Sequence, residues 1–134
     1  MIIPGCHTIV RGEGEGIALV TSQPINFLSM LDPRTGTITD QKHELHGKSL
    51  SGAVLVFPYA IGSSVGAYAI YSLREYATAP SAIVCAKADI TTASGCAVAK
   101  IPLVDLPEST PLSSIIQGSL ARVDADSGRV VVKV

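Results

Sequence analysis

The chain is 134 residues long, 47% hydrophobic and 16% charged, and its ten basic and eleven acidic residues leave a net charge of −1. That length fits a single domain, residues 1–134, with enough apolar material for an ordinary core, and the composition excludes a disordered chain. The charges are scattered, which excludes the basic stripe of a nucleic-acid binder and the footprint of a protein held on an anionic membrane.

In chain order, the first third reads as β-rich. His7–Val10 and Gly16–Thr21 are short β-branched runs punctuated by Gly12, Gly14 and Gly16 and then by Pro24. The glycine-rich stretch Gly12–Gly16 has neither the spacing nor the lysine of a phosphate loop, and it is expected to be a turn. Asp32-Pro33-Arg34-Thr35-Gly36 predicts a type I turn closing a hairpin between Phe27–Leu31 and Thr37–Thr39.

The middle of the chain reads as α/β. Ala53–Phe57 is a continuous apolar run, as expected of a strand covered on both faces. Pro58–Gly62 breaks that pattern, and Ser63 or Ser64 is placed to cap a helix running to about Tyr76. Val65, Tyr68, Ala69, Ser72, Leu73 and Tyr76 form its expected buried stripe, and Pro80 stops it. A second buried strand, Ala82–Cys85, begins about one βαβ unit later. A short helix near Asp89–Ala93 and a strand over Ile101–Val104 extend the pattern, and Ser119–Val123 and Arg129–Val134 flank the turn Asp126-Ser127-Gly128 as a closing hairpin.

Three cysteines, Cys6, Cys85 and Cys96, are an odd number set far apart, so they read as small packing residues of a protein in the reducing cytoplasm and not as a disulfide framework. The amino terminus lacks the basic and apolar segments of a secretion signal, and the apolar runs are too short to span a bilayer. His43 and His46 lie three residues apart without further ligands, so solvated loop histidines are expected and no metal site is assigned.

The segment with chemical potential is Tyr59–Gly66, where a buried strand gives way to a helix through Gly62, Ser63 and Ser64. Ligands of open α/β sheets collect at the carboxyl ends of the strands, and a helix start presents unpaired N–H groups and a partial positive charge. Two readings follow: Ser63 and Ser64 merely cap the helix, or a serine oxygen is stabilised there for proton transfer. Nothing in the sequence places a histidine beside Ser63 to complete a hydrolase triad.

Several motifs, in order, resemble the small subunit of the aconitase X family. They are Asp32-Pro33-Arg34-Thr35-Gly36, His46–Gly52, Val54–Tyr59, Gly62–Tyr68, Ala79–Ile83, Gly95-Cys96-Ala97 and Ile101–Asp105. The family includes archaeal-type phosphomevalonate dehydratase and cis-3-hydroxy-L-proline dehydratase. The resemblance implies an α/β fold: a swivelling β/β/α domain with a small parallel βαβ core, a β-rich amino-terminal part and a carboxyl-terminal hairpin. It also implies a large-subunit partner that carries an iron–sulfur cluster, a small hydroxy-acid substrate, and inactivity of this chain alone. The first serine of the Gly-Ser-Ser element becomes the catalytic base, which is Ser63, flanked by Gly62 and Ser64 as substrate-binding residues.

The chain departs from the pattern at three places. Val65 stands where aconitase has a substrate-binding arginine, and Ile61 stands where phosphomevalonate dehydratases commonly have a basic residue. Isoleucine offers a phosphate neither charge nor donor. Phe27–Leu31 is also altered from the family's glycine pair, and the low charge content lacks the Lys/Glu enrichment of hyperthermophile proteins. On these grounds the sequence favours cis-3-hydroxy-L-proline as substrate, with 5-phosphomevalonate the alternative. A non-catalytic docking module is the third possibility.

Overall fold

The computed structural model describes residues 1–133; the expected strand residue Val134 lies outside them. The elements in order are β1 (Ile2–Ile3), β2 (His7–Val10), β3 (Glu13–Val20), β4 (Leu31–Asp32), β5 (Thr37–Ile38), β6 (Val54–Phe57), α1 (Gly66–Glu75), β7 (Ala82–Cys85), α2 (Ile90–Ala99), β8 (Leu103–Asp105), β9 (Leu120–Asp124) and β10 (Arg129–Lys133). Eight strands form one mixed sheet in the order β1-β10-β9-β3-β6-β7-β8-β2, while β4 and β5 pair separately. The heart of the sheet is parallel: β3, β6, β7 and β8 run together in register Ala18↔Val54, Val54↔Ala82 and Ile83↔Leu103. The remaining pairings in the large sheet are antiparallel.

The long strand β3 turns one sheet into two layers. Its first half, Glu13–Ile17, pairs with β9, and its second half, Ala18–Val20, pairs with β6. The β9–β10–β1 wing therefore curls under the parallel strands, which carry the two helices on their other side, giving β/β/α layering. Side chains alternate between the two cores as the period of a strand requires. Leu55, Phe57, Ile83 and Leu103 face Ile70, Leu73, Cys96 and Ala99 of the helices. Val54, Val56, Ala82 and Val84 face Ala121, Val123, Val130 and Val132 of the wing.

Several expectations change. Gly12–Gly16 is not a turn, since Glu13 onward is strand. A Cβ on Gly14 would lie 2.1 Å from the Ser81 carbonyl oxygen, and one on Gly16 would lie 2.2 Å from that of Gly52. These glycines let the curled strand pass against backbone at the amino ends of β6 and β7.

The buried stripe of α1 is Gly66, Ala69, Ile70 and Leu73, whereas Val65, Tyr68 and Tyr76 are exposed, Tyr68 at 78%. The helix packs through its small residues because α2 approaches closely: a Cβ on Gly95 would sit 2.9 Å from Ile70. Helix α2 runs on to Ala99, well past Ala93, and ends where Lys100 adopts φ +58°. The hairpin at Asp32–Gly36 is present but short; its turn is closed by the Gly36 amide on the Asp32 carbonyl at 2.8 Å.

Candidate active site

The carboxyl end of β6 leads into residues 58–65; the Pro58 carbonyl accepts from the Lys87 amide at 3.5 Å, and three neighbours hold residues 59–62 before α1 begins. The first is the segment after β3. The Ile61 amide donates to the Ile25 carbonyl at 3.0 Å, and the Ile25 amide to the Tyr59 carbonyl at 3.4 Å. The second is Asn26, whose side-chain oxygen accepts from the Leu28 and Ser29 amides at 3.1 and 3.2 Å. Gly62 fits against that carboxamide at φ +105°, and a Cβ there would stand 2.6 Å from Asn26 Nδ2. A side chain here is strained by the backbone and would displace the Asn26 carboxamide.

The third neighbour is Asp89, the capping residue of α2. Its Oδ2 accepts from the Thr92 amide at 3.0 Å, and its Oδ1 accepts from the Thr92 hydroxyl and the Ala60 amide, each at 2.8 Å.

Ser63 and Ser64 then form the exposed turn that opens α1, their carbonyls accepting from the Gly66 and Ala67 amides at 3.0 and 3.1 Å. Side-chain capping is weak. The capping position is Val65, which has no side-chain cap, and Ser63 Oγ receives only a long 3.4 Å contact from the Val65 amide. The backbone N–H groups of Gly62, Ser63 and Ser64 find no partner among the described residues. The turn thus offers a hydroxyl, a row of free N–H donors and the positive end of a helix at one exposed point, a set suited to an anion or an incipient alkoxide.

A cleft of about 240 Å³ beside the loop has Gln23, Pro24, Met30, Lys42, His43 and Ile61 in its lining. His43 is a correction to the sequence reading: it is buried, not solvated. Its Nε2 lies 3.2 Å from the Pro24 carbonyl and its Nδ1 accepts from the Leu45 amide at 3.1 Å, so both ring nitrogens are engaged in holding loops. His46 is exposed. Glu44, next to it, accepts from the Thr21 hydroxyl and from the Ser22 amide at 2.8 Å, and these bonds hold its carboxyl below the usual range.

The residues of this chain do not fit an iron–sulfur cluster. All three cysteines are free and buried, and burial pushes the thiol of Cys85 well up and that of Cys96 up to about 12, so both stay protonated. Among the described residues, the group of three candidate ligands that does occur is Glu13, Asp124 and Asp126, with no cysteine. Arg122 pairs with Glu13 at 2.8 Å and Arg129 with Asp124 at 3.5 Å, so that cluster is largely neutralised by its own cations.

A β/β/α domain with a glycine–serine–serine turn exposed at the carboxyl ends of its parallel strands has the architecture of a swivel domain. The chain belongs to the aconitase X swivel domain family, whose model matches residues 3–132. It is 43% identical over 93% of its length to the phosphomevalonate dehydratase small subunit of Methanothermobacter thermautotrophicus, covering 95% of that protein. It is 42% identical over 92% of its length to the protein of that name from Methanosarcina acetivorans, covering 86% of it. The crystal structure of holo aconitase X from Thermococcus kodakaraensis superposes with a TM-score of 0.92 at 39% identity, covering 100% of this chain and 99% of that one. The sequence-based preference for cis-3-hydroxy-L-proline has no support among these relatives. Among the described residues no helix is long and apolar enough to cross a membrane.

Proposed function

We propose that this chain is the small subunit of a cytoplasmic hydro-lyase that dehydrates 5-phosphomevalonate, and that Ser63 is its catalytic base. The observation that carries the substrate is the name shared by relatives about 42% identical over more than nine-tenths of the chain. The role of Ser63 is supported by the exposed hydroxyl at the head of α1 and by the free N–H groups around it.

A serine hydroxyl is too weak an acid to be ionised in water, so the site needs donors and the exclusion of solvent. The N–H groups of Gly62, Ser63 and Ser64 supply donors, and the start of α1 adds a partial positive charge. Ser63 Oγ, as the alkoxide, takes the proton from the carbon next to the substrate carboxylate, the C–H electron pair becomes the new double bond, and the hydroxyl leaves the neighbouring carbon as hydroxide, in the part of the site that this chain does not build. The large subunit supplies the walls that shut out water and holds the iron–sulfur cluster for which this chain has no ligands. Ile61 presents no charge; Lys42, which lines the same cleft, is a cation that this chain can offer the phosphate, and the large subunit supplies the others in this reading.

The test is the reconstituted two-subunit enzyme carrying Ser63→Ala. Loss of a general base lowers turnover at least about a hundredfold, and the weak 3.4 Å contact to Val65 means that thermal stability stays near that of the parent. Near-normal turnover removes Ser63 from the mechanism. A panel comparing 5-phosphomevalonate with cis-3-hydroxy-L-proline decides the substrate, and activity of this chain without its partner overturns the division of labour.

A further inference from the structure

We infer that Asp89 is the positioning residue of this site: one carboxylate that caps α2 also fixes the loop on which Ser63 stands. The inference rests on the assignment of Ser63 as base. Ordinary capping needs one oxygen, and the Oδ2 bond to the Thr92 amide at 3.0 Å supplies it. The other oxygen does separate work, accepting from the amide of Ala60, 29 residues away in sequence, at 2.8 Å.

Ala60 lies three residues before Ser63, in the middle of the loop, and its immediate backbone neighbours are held from one side only; on the other side the Lys87 amide reaches the Pro58 carbonyl, at the start of the loop, at a long 3.5 Å. The Ile61 amide and the Tyr59 carbonyl both bond to Ile25, on the β3 side. Asp89 holds the loop from the opposite, α2 side. With both attachments the loop spans the sheet between two fixed points, and Gly62 and Ser63 follow from it directly. With Asp89 removed, only the long Lys87–Pro58 bond is left on the α2 side, five residues before Ser63, and the Ala60 amide, half-buried, has no partner.

The carboxylate is itself well determined. The Thr92 hydroxyl, fully buried, donates to the same Oδ1 at 2.8 Å and fixes which oxygen turns to the loop. A charged acceptor makes shorter and stronger bonds than a neutral one, which suits a tether that must keep a base aligned on substrate carbon. A displacement of about 1 Å of a catalytic group costs on the order of a hundredfold in rate, so a loop free to move on one edge is a kinetic defect even when the fold is intact.

Capping and tethering are separable by substitution. Serine is a good cap but too short to reach Ala60, so Asp89→Ser keeps the first function and removes the second. Asparagine has a single acceptor oxygen of the right length, so Asp89→Asn can keep the tether at the expense of the cap, its NH2 then facing the Thr92 amide. In the reconstituted complex assayed with 5-phosphomevalonate, Asp89→Ser is expected to lower kcat at least about tenfold with KM little changed. Asp89→Asn is expected to recover most of kcat, with both variants melting near each other.

Hydrogen exchange gives a readout that does not depend on turnover. The Ala60 amide is protected in the parent and exposed in Asp89→Ser, while the Thr92 amide stays protected in both. An Ala60 amide that exchanges as an open loop in the parent overturns the inference without any variant. So does Asp89→Ser with parental kcat in a complex where Ser63→Ala abolishes turnover. If Ser63→Ala retains full turnover as well, the base assignment fails first and the positioning role falls with it; the exchange pattern tells the two failures apart.

Discussion

Gly62 is the residue where the local geometry of the site can be measured most directly. Replacing it with alanine has two separable consequences. The backbone sits at φ +105°, which an L side chain rarely adopts, and holding alanine in such a region costs about 1–3 kcal/mol. The new Cβ would also lie 2.6 Å from Asn26 Nδ2, 3.0 Å from its Cγ and 3.2 Å from its Oδ1, so the carboxamide has to leave. Doing so breaks its two bonds to the Leu28 and Ser29 amides, each worth about 0.5–1.5 kcal/mol.

The second consequence disappears in an Asn26→Ala background, because all three crowding atoms lie beyond Cβ. A double-mutant cycle therefore isolates a coupling of about 1–3 kcal/mol between the two positions. For a chain of this length, unfolding entropy is about 0.28 kcal/mol/K, so each kcal/mol moves Tm by about 3.5 °C. Thermal melts of the four proteins should show Gly62→Ala lowering Tm by about 4–10 °C more in the parent than in Asn26→Ala. An equal shift in both backgrounds refutes the contact on which the placement of Ser63 depends.

Other outcomes follow from charge and burial. Glu44 has its carboxyl held low by the Thr21 hydroxyl and then by the Ser22 amide. Its folded pKa is below the unfolded value, so its contribution is complete above about pH 4.5 and is lost as pH falls through the folded pKa. Glu44→Gln should flatten the acid limb of a urea-midpoint-against-pH curve, and an unchanged limb is the contrary result.

Asp105 has the opposite sign. Burial raises its carboxyl, an effect only partly offset by the Ala88 amide and by His7 and Lys87. Its ionisation therefore costs stability as pH rises through the folded pKa. Asp105→Asn, which keeps an acceptor for the Ala88 amide now at 2.8 Å from Oδ1, should gain more at pH 7 than at pH 4. Equal effects at both pH values count against it.

Cys85 and Cys96, fully buried and protonated, should resist iodoacetamide at pH 8 until the chain unfolds, as judged by mass spectrometry of the native protein. Labelling at the denatured rate contradicts the burial.

The parallel core was legible because Val54–Phe57 and Ala82–Cys85 carry apolar residues at every position, as strands covered on both faces must. The loop between β6 and α1 was legible for the same reason, since an apolar run that stops at proline and glycine marks the end of a buried strand. Gly14 and Gly16 were misread because their purpose is space for the Ser81 and Gly52 backbones, and short-range pattern carries no record of a crossing strand.

The stripe of α1 was misplaced by large side chains. Tyr68 and Tyr76 look like core by size, yet α2 comes so close that the contact is made by Gly66, Ala69 and Ile70 instead. The length of α2 was underestimated because Thr91, Thr92, Ser94 and Gly95 are modest helix formers, and tertiary packing overrides their propensity. Ile61 was given weight in choosing a substrate, but one uncharged side chain on an open surface says little about which substrate is bound, and relatives about 42% identical carry the other name.

The residues around Ser63 show why a motif can be found in a sequence while its site cannot. Asn26, Asp89 and Ser63 stand on three separate segments, and no spacing relates them. They meet because β3, β6 and β7 are parallel neighbours, so the chain leaves all three strands at the same edge of the sheet. The exit loops then meet one another: Ile25 bonds Ile61, the Asn26 carboxamide packs against Gly62, and Asp89 bonds the Ala60 amide. The side-chain partners are polar residues of turns and caps, the types that a one-dimensional reading assigns to local roles. Their second role is created by topology, and it places the hydroxyl of Ser63 with the loop that carries it braced on both sides.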